Sequence, residues 1–545
     1  MPGRDDNGLD TLLVGLDGAS LPVLRPLFDA GVTPTLRDLF GEGASGPLRS
    51  QIPPWTASAW PSLYTGTNPG KHGVFGFLAF EGYDWEVVTA SSVEERPLWG
   101  YLDHHDLTSV VVNVPVTYPP EAVDGAVVPG YLAPEDPPCH PEGILEDVRD
   151  HLGEYRVYAD VESDESAGVE ETVAEYRALT RMRGEAFRYL ADRFDPDFGF
   201  LQFQHTDTIL HEYPETDRAV RGVYGAVDGA VDRTLAACDP ETVVVVSDHG
   251  LGEYDRRLRV NEVLRDEGLL SATRGGEGMP TWAVIRDDRL REGERGEGTD
   301  GTPLQRTAAL AASVGLTSQR AGAVLERLGL LDAARRWVPT GLVRAGSEQV
   351  DFPNSAAYAR SRVECGIRIN LRGREPDGVV APGEYEAVRS EVVELLSDLT
   401  TPEGDPVFET VAPREEFFSG PNVDRAVDVV AVPRRFDTYV TTWLLGEHFA
   451  APDPPAWDHE REGVVAATGA GVDQSADLSG AHLFDVAPTV LALLGLKRAE
   501  RMDGDVLPVA EDPGATDYPD YDVGAGTTLD DEAVEERLAD LGYVE

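Results

Sequence analysis

The sequence has few lysines and cysteines and no long hydrophobic run. Only two of its 46 basic residues are lysines, and 98 residues are Asp or Glu. The sequence shows no basic stripe that could neutralise phosphates, so this composition disfavours nucleic-acid binding. Its three cysteines, Cys139, Cys238 and Cys365, lie far apart without C-x-x-C spacing. They therefore indicate neither a disulfide framework nor a thiolate zinc site.

Membrane-spanning and targeting signals are also missing. No run of eighteen apolar residues occurs in the sequence, and such a run is what a spanning helix needs. The first residues, MPGRDDNGLD, lack the basic start and apolar core of a signal peptide. We therefore expect a cytoplasmic protein.

The net charge of −52 over 545 residues is the most unusual property of the composition. In dilute buffer such a charge strains a compact state by self-repulsion, whereas in molar salt the screening length falls to about 3 Å. This balance is typical of a halophile with a salt-rich cytosol, although codon bias toward Arg and Ala also explains scarce lysine. Because 41% of residues are hydrophobic, with 8 Trp and 17 Phe, we expect a folded chain with a large core.

Short apolar runs recur along the chain and predict buried strands. Helical patterns lie between several of them, and the clearest is residues 169–194, where apolar residues return every three or four positions. Strands that alternate with helices predict an α/β fold with a doubly wound, mostly parallel sheet flanked by helices. The predicted strands lie within 11–20, 107–115, 197–207, 241–250, 426–433 and 461–469.

Changes in composition predict the domain boundaries. Residues 8–275 form the first part of the core, and a charged, Gly-rich stretch followed by short helical segments predicts an inserted helical cap over 276–349. The core continues over 350–510, which includes a strand, a turn and a helix within 366–399. Residues 511–545 are acidic and predict a surface tail with a short helix.

Metal-type side chains follow four of the predicted strands or precede them. Taken singly, a strand-terminal Asp-Gly is a turn or a helix cap. Taken together, these side chains come where the ligands of parallel sheets gather, at the carboxyl ends of the strands. The candidates are Asp17, Asp207 with His211, Asp248 with His249, and His459.

Asp207 and His211 are four residues apart, so one helical turn or an extended loop could bring both to one ion. His205 and His482 lack an adjacent partner, and we interpret them as structural. Three carboxylates and three imidazoles suit two divalent ions, and we expect Zn²⁺ with Mn²⁺ as the alternative, not Ca²⁺. Two such ions about 4 Å apart could hold the attacking and leaving oxygens of a phosphoryl transfer.

The order of motifs along the whole chain resembles the alkaline phosphatase superfamily. The resemblance is to its type I phosphodiesterase/nucleotide pyrophosphatase branch and its cofactor-independent phosphomutase branch. It rests on the segments LLVGLDGAS, PPWTASAWPSLYTGTNPGKHG, HTDTILH, VVVVSDHG, DHEREG and FDVAPTVLALLGL.

The resemblance implies roles for seven residues. Thr56, nine residues before Thr65, would be the nucleophile and contact both metals, although a helix-capping hydroxyl is the structural alternative. It implies one metal site of Asp207, His211 and His459 and a second of Asp17, Asp248 and His249. Ala59 stands where the phosphodiesterases carry an Asn, and Lys71 is a weaker candidate for phosphate contact.

These motifs predict a hydrolase of a small phosphate mono- or diester that forms a phosphothreonine. A phosphomutase that uses the same site is the alternative. A sulfatase is disfavoured because residue 56 is neither Cys nor Ser and TASAW lacks the arginine of the C/S-x-P-x-R motif. A non-catalytic metal-binding relative is disfavoured because the ligand set has no gap. The sequence does not determine the oligomeric state.

Overall fold

The structure, a computed structural model, describes residues 8–159, 168–274, 348–452 and 456–521. These residues divide into a first unit, within 1–74, 87–251 and 459–545, and a second unit, within 75–86 and 252–458. The predicted cap, residues 276–349, lies outside the described residues except for 348–349. The predicted tail, 511–545, is described only to residue 521. None of the described helices is long and apolar enough to cross a membrane.

In chain order, the α-helices of the described residues are α1 Leu21–Asp29, α2 Pro34–Glu42, α3 Thr56–Thr65, α4 Pro69–His72, α5 Leu98–Asp103, α6 Ile144–Leu152, α7 Val169–Phe194, α8 His205–Glu212, α9 Asp217–Cys238, α10 Val260–Asp266, α11 Tyr385–Ser397 and α12 Val486–Leu493. The strands are β1 Thr11–Leu16, β2 Ala44–Arg49, β3 Leu78–Glu81, β4 Asp84–Val87, β5 Ser109–Val112, β6 Gly125–Val128, β7 Phe198–Phe203, β8 Thr242–Val246, β9 Gly250–Glu253, β10 Arg256–Arg259, β11 Ala272–Arg274, β12 Glu348–Val350, β13 Ala357–Tyr358, β14 Gly366–Ile369, β15 Phe408–Pro413, β16 Val429–Pro433, β17 Thr438–Thr441, β18 Phe449–Ala450, β19 Trp457–Glu460, β20 Glu462–Gly469, β21 Arg498–Ala499 and β22 Ala515–Thr516.

A seven-stranded sheet forms the centre of the first unit, in the order β2-β20-β8-β1-β7-β5-β6. The five strands from β8 to β6 are parallel, and β20 runs antiparallel to both β8 and β2. All residues of β1, β7 and β8 are buried, as expected for strands covered by helices on both faces. The predicted α/β fold with a mostly parallel sheet is therefore confirmed.

The helix predicted over residues 169–194 is α7, with those same bounds. Its buried side chains, among them Tyr176, Leu179, Arg183 and Leu190, recur every three to four positions and face the rest of the unit. Helix α7 ends at Asp195, which adopts the left-handed conformation. It packs on β5 and β7 and against α9, so it covers the middle of the sheet.

The strand register brings three strand ends to the same edge. Gly15 pairs with Val246 of β8, and Leu16 pairs with Phe203 of β7. The residues that follow β1, β7 and β8 therefore leave the sheet side by side. At Gly18 the chain turns with φ +64°, and a Cβ there would lie 2.2 Å from Leu251 Cδ1, so only glycine fits.

The second unit has its own sheets and core. Strands β13, β14, β16 and β15 form an antiparallel sheet, and β17, β10 and β18 form a three-stranded one. The strand predicted within 426–433 exists as β16 but belongs to this antiparallel sheet, because a short buried strand has the same apolar pattern in either kind of sheet. The strand and helix predicted within 366–399 are β14 and α11.

A buried histidine ties α4 to α3 in the first unit. His72 Nδ1 accepts a hydrogen bond from the backbone N–H of Val74 at 3.2 Å, so the proton of the neutral ring lies on Nε2. His72 Nε2 is 2.8 Å from Ser62 Oγ, which is the partner for that proton. Burial lowers the pKa of His72 to about 3, because a second proton would be placed without water.

We expect His72 to make the protein less stable in acid. The unfolded chain takes up a proton at His72 near pH 6.5, whereas the folded chain takes it up only near pH 3. The free energy of unfolding should therefore fall by about 1.4 kcal/mol per pH unit below pH 6.5 from this residue alone. His72→Gln should remove that part of the slope, measured by urea unfolding between pH 7 and pH 5. Parallel pH curves for the two proteins would contradict the assignment.

Candidate active site

The residues that follow the strand ends converge into one cluster in the first unit. Ligand atoms of Asp17, Asp248 and His249 all lie within 4.8 Å of one another, and the same holds for Asp207, His249 and His459. His211 joins the cluster, since its Nε2 is 3.3 Å from Asp207 Oδ1. All six predicted ligands therefore lie together, although more than four hundred residues separate the first from the last.

Asp17 is held by a hydrogen-bond network from neighbouring elements. Its Oδ2 accepts from Trp60 Nε1 at 3.1 Å and from Gln202 Nε2 at 2.7 Å, which leaves Oδ1 facing the cluster. Asn113 Nδ2 in turn donates to Gln202 Oε1 at 2.7 Å. At Gly15 a Cβ would lie 2.6 Å from the Trp60 ring, so the glycine makes room for this indole.

Sequence reasoning missed Trp60, Gln202 and Asn113. All three are buried polar side chains that bond one another or Asp17. Nothing in their local sequence marks this role, because the partners come from β1, α3, β7 and the segment after β5. Gln202 stands out only as the single polar side chain of the apolar strand β7, which does not indicate its partner.

His249 presents a defined nitrogen to the cluster. Its Nδ1 lies 3.0 Å from the carbonyl oxygen of Gly250, which can only accept, so Nδ1 carries the proton. The unprotonated Nε2 then faces Asp248 Oδ2 at 3.2 Å and Asp17 Oδ1 at 3.5 Å. This tautomer is the one that a metal ligand needs.

Asp207 and His211 lie one turn apart on α8, which confirms the helical alternative for this pair. Thr206, also on α8, donates to the backbone carbonyl of Asp17 at 2.7 Å and so joins the start of α8 to the end of β1. His459 lies on β19, and its ring stacks on Trp55 with centroids 4.9 Å apart.

The charges of the cluster are unbalanced. Burial, followed by the neighbouring Asp248, raises the pKa of Asp17, and burial likewise raises the pKa of Asp248. Burial also acts to raise the pKa of Asp207, but His211 beside it outweighs this and lowers the value to about 2. Burial lowers the pKa of His249 to about 3, with His459 as a further cause.

This donor set fits divalent metal ions. Asp248 Oδ2 is buried without a hydrogen-bond donor among the described residues. No described lysine or arginine forms an ion pair with Asp17, Asp207 or Asp248, and the charged groups beside these carboxylates are histidines. Buried carboxylates and an inward imidazole lone pair need a cation, and the mixed oxygen and nitrogen donors suit Zn²⁺ or Mn²⁺.

Thr56 is the first residue of α3 and faces the cluster. Its Oγ1 is 3.2 Å from His249 Nε2 and 3.4 Å from Asp17 Oδ1, and the residue is 5% exposed. The N-cap of α3 is Trp55, which makes no side-chain cap hydrogen bond. The capping alternative for the Thr56 hydroxyl is therefore wrong, because the chain turns into the helix one residue earlier.

Other sequence candidates lie apart from the cluster. Lys71 Nζ pairs with Asp503 Oδ1 at 2.6 Å and donates to the carbonyl of Arg501 at 2.7 Å. Its ammonium group therefore bonds other residues of the first unit. His482 Nδ1 accepts from the backbone N–H of Phe484, which confirms its structural interpretation.

A model of the type I phosphodiesterase/nucleotide pyrophosphatase family matches residues 11–313, more than half of the 545-residue chain. The match extends from β1 past the Asp248 and His249 segment and so includes every candidate ligand except His459. A search of curated proteins found no match.

Solved structures resemble the chain over most of its length. The phosphonoacetate hydrolase of Sinorhizobium meliloti 1021, solved with phosphonoformate, has a TM-score of 0.54 at 18% identity, covering 88% of this chain and 94% of that one. The same protein with phosphonoacetate gives 0.53 at 17% identity, with the same coverage of both chains. Murine ectonucleotide pyrophosphatase/phosphodiesterase 5 gives 0.46 at 14%, covering 90% and 95%. The phosphonoacetate hydrolase likeness supports the fold.

We expect substitutions that remove buried charge from the cluster to stabilise the metal-free protein. Asp17→Asn and Asp248→Asn should each raise the free energy of unfolding in a chelator at pH 8 by about 1 kcal/mol or more. A carboxyl whose pKa is raised by folding makes the folded protein less stable as the pH rises above the pKa of that carboxyl in the unfolded chain. The gain in the free energy of unfolding should therefore be smaller at pH 5 than at pH 8.

The matched control is Asp428→Asn in the second unit. Asp428 is also buried, but Arg374 Nη1 and Nη2 each donate to it at 2.7 Å. Breaking this buried pair should cost about 3–5 kcal/mol, the opposite sign. Denaturant unfolding in the chelator measures the stability of all three variants. If both cluster variants were less stable than the wild type, the claim that the buried carboxylates destabilise the metal-free protein would be wrong.

Proposed function

This chain belongs to the type I phosphodiesterase/nucleotide pyrophosphatase family, and on that premise we propose that it hydrolyses a small phosphate ester through a phosphothreonine on Thr56. The match to this family confirms the resemblance to the phosphodiesterase branch that the motifs indicated. Because the family consists of phosphoester hydrolases, the protein is a hydrolase of phosphoric ester bonds. The observation that carries the proposal is the Thr56 hydroxyl, 3.2 Å from His249 Nε2 within a buried cluster of six metal-type ligands.

We assign the ligands to two divalent ions. Asp207, His211 and His459 would hold one, and Asp17, Asp248 and His249 would hold the other, with Thr56 between them. Zn²⁺ is our first choice and Mn²⁺ the alternative. Bound ions of this kind would polarise the phosphoryl group and favour an ionised oxygen nucleophile.

The residues of the chain position the reaction. Trp60 and Gln202 hold Asp17, and the Gly250 carbonyl orients His249, so the groups around Thr56 Oγ1 are held in place. Thr56 Oγ1 would form a bond to phosphorus as the bond to the leaving oxygen breaks. The hydroxyl proton passes to solvent water, and the leaving oxygen takes a proton from water, so the step consumes no net proton.

The start of α3 supplies donors for the phosphoryl oxygens. The backbone N–H groups of Ser58 and Ala59 bond the carbonyl of Trp55, whereas those of Thr56 and Ala57 have no acceptor among the described residues. These two N–H groups lie at the positive end of the helix dipole and beside the nucleophile. A water molecule would then attack phosphorus and break its bond to Thr56 Oγ1, which restores the hydroxyl and releases phosphate from a monoester substrate or a phosphate monoester from a diester.

The class of ester is a narrower part of the proposal. Ala59 leaves no side-chain amide at the position where the phosphodiesterases carry one, so we propose both mono- and diesters as substrates. The phosphomutase alternative uses the same nucleophile, and only its products differ. Given the net charge of −52, assays belong in molar KCl. The halophilic origin and cytoplasmic location stay predictions.

Thr56→Ala should reduce the turnover of p-nitrophenyl phosphate and bis(p-nitrophenyl) phosphate by about a thousandfold or more, since it removes the attacking oxygen. Bound metal, measured by mass spectrometry, should not change. Thr65→Ala is the matched control, because Thr65 is buried in the same helix but donates to the carbonyl of Pro61.

Retained turnover in Thr56→Ala would remove this residue from the mechanism. For the wild type, free phosphate as the product of a sugar phosphate supports the hydrolase. An isomeric sugar phosphate without free phosphate would favour the phosphomutase.

We expect two divalent ions per chain after reconstitution with Zn²⁺ or Mn²⁺. His211→Ala and Asp248→Asn should each lower the stoichiometry toward one, because they remove ligands of different ions. His151→Ala, which changes an exposed histidine of the same unit, should leave it at two. Equal loss of both ions in all three variants would contradict the two-site assignment.

A further inference from the structure

A groove with a cavity volume of about 520 Å³ lies along α7 and α9 in the first unit. Its polar lining is entirely cationic. Arg177 and Arg181 come from α7, and Arg218, Arg221 and Arg233 come from α9. Among the described residues, no Asp or Glu lines the groove.

This concentration of positive charge runs against the composition of the chain, in which 98 acidic residues face 46 basic ones. Two of the five arginines have carboxylate partners: Arg218 with Glu170 and Arg221 with Asp217. Those partners are 80% and 77% exposed, and ion pairs in such a setting are weak.

The other three arginines are not neutralised within the described part of the chain. Arg177, Arg181 and Arg233 are exposed and form no ion pair there. Like charges gathered in one groove repel one another, and a bound anion would relieve that repulsion.

The floor of the groove is formed by Gly222, Gly225, Ala226 and Gly229 of α9. Packing explains only the first glycine, where a Cβ would lie 2.7 Å from Val173 Cγ1. At Gly225 the nearest atom to a Cβ is 3.6 Å away, an ordinary contact, and at Gly229 it is the flexible end of Arg233 at 3.3 Å.

Glycine is the poorest helix former after proline, so Gly225 and Gly229 cost helix stability without a packing need. Their effect is to leave open space between the arginines. Glycine has no side chain, so these two positions leave the groove unfilled beside the arginines.

We propose that this groove is a second binding site, for an oligophosphate anion. Arginine forks match phosphate oxygens two at a time, and five of them suit a ligand with several linked phosphates. The cavity volume lies within the range of small-molecule sites. No aromatic side chain of the described residues lines it, so the phosphate chain and not a base is recognised. The inference is independent of the proposed catalytic function.

The test is isothermal titration of the full-length protein with inorganic tripolyphosphate, ATP and poly-glutamate. A chelator keeps the catalytic cluster metal-free, so that its carboxylates repel anions. The KCl concentration is the lowest at which far-UV circular dichroism is native. We expect one saturable site for tripolyphosphate.

Two sets of variants locate the site. Arg177→Gln, Arg181→Gln and Arg233→Gln together should weaken tripolyphosphate binding at least tenfold. The same change at Arg25, Arg37 and Arg193, three exposed arginines elsewhere in the first unit, should alter Kd less than twofold. Gly225→Leu should weaken binding by filling the groove, whereas Gly225→Ala should preserve it.

Equal Kd values for tripolyphosphate and ATP support recognition of the phosphate chain alone, whereas much tighter ATP binding would contradict a site that does not recognise the base. The proposal is overturned if tripolyphosphate shows no saturable binding or if both arginine triples weaken it equally. It is also overturned if poly-glutamate binds as tightly per site, because the groove would then recognise charge and not phosphate.

Discussion

Three carboxylates lie together beyond the ends of parallel strands: Asp17 and Asp248 are fully buried, and Asp207, on α8, is half-buried. Like charges in such a position repel strongly, and the described residues bring no lysine or arginine to neutralise them. The cluster is therefore complementary to cations from solution. His249, whose unprotonated Nε2 faces the cluster, together with the adjacent His211 and His459, makes divalent metal ions the fitting choice.

The surroundings of the cluster are arranged to keep these groups in place. Trp60 and Gln202 bind one oxygen of Asp17 and leave the other for the cluster, and Thr206 ties α8 to the backbone of Asp17. The same helix that supplies Trp60 begins with Thr56, so the indole and the proposed nucleophile are positioned together. A buried, repulsive site can persist because the sheet and α3 around it are closely packed.

Charge has two different roles in this chain. Over most of the surface an excess of Asp and Glu sets a net charge of −52, which favours solubility in high salt. In the groove along α7 and α9 the sign is reversed, and glycines leave room for a ligand. An anion approaching the protein would therefore meet two attractive places, the metal-loaded cluster and the arginine groove, which differ in the source of their positive charge.

The sequence by itself determined the class of fold and predicted the six candidate ligands, because strands that end in Asp or His and a helix with period 3.6 are local patterns. Thr56 was predicted from the family resemblance and not from a local pattern. It placed α7 at its observed bounds and the Asp207 and His211 pair one turn apart. Tertiary structure alone decided that β16 joins an antiparallel sheet, that Trp55 and not Thr56 caps α3, and that Trp60, Gln202 and Asn113 support Asp17. It also brought the five arginines into one groove. The physical reason is that strand partners, buried hydrogen bonds and surface charge clusters depend on residues far apart in the chain, which no local pattern records.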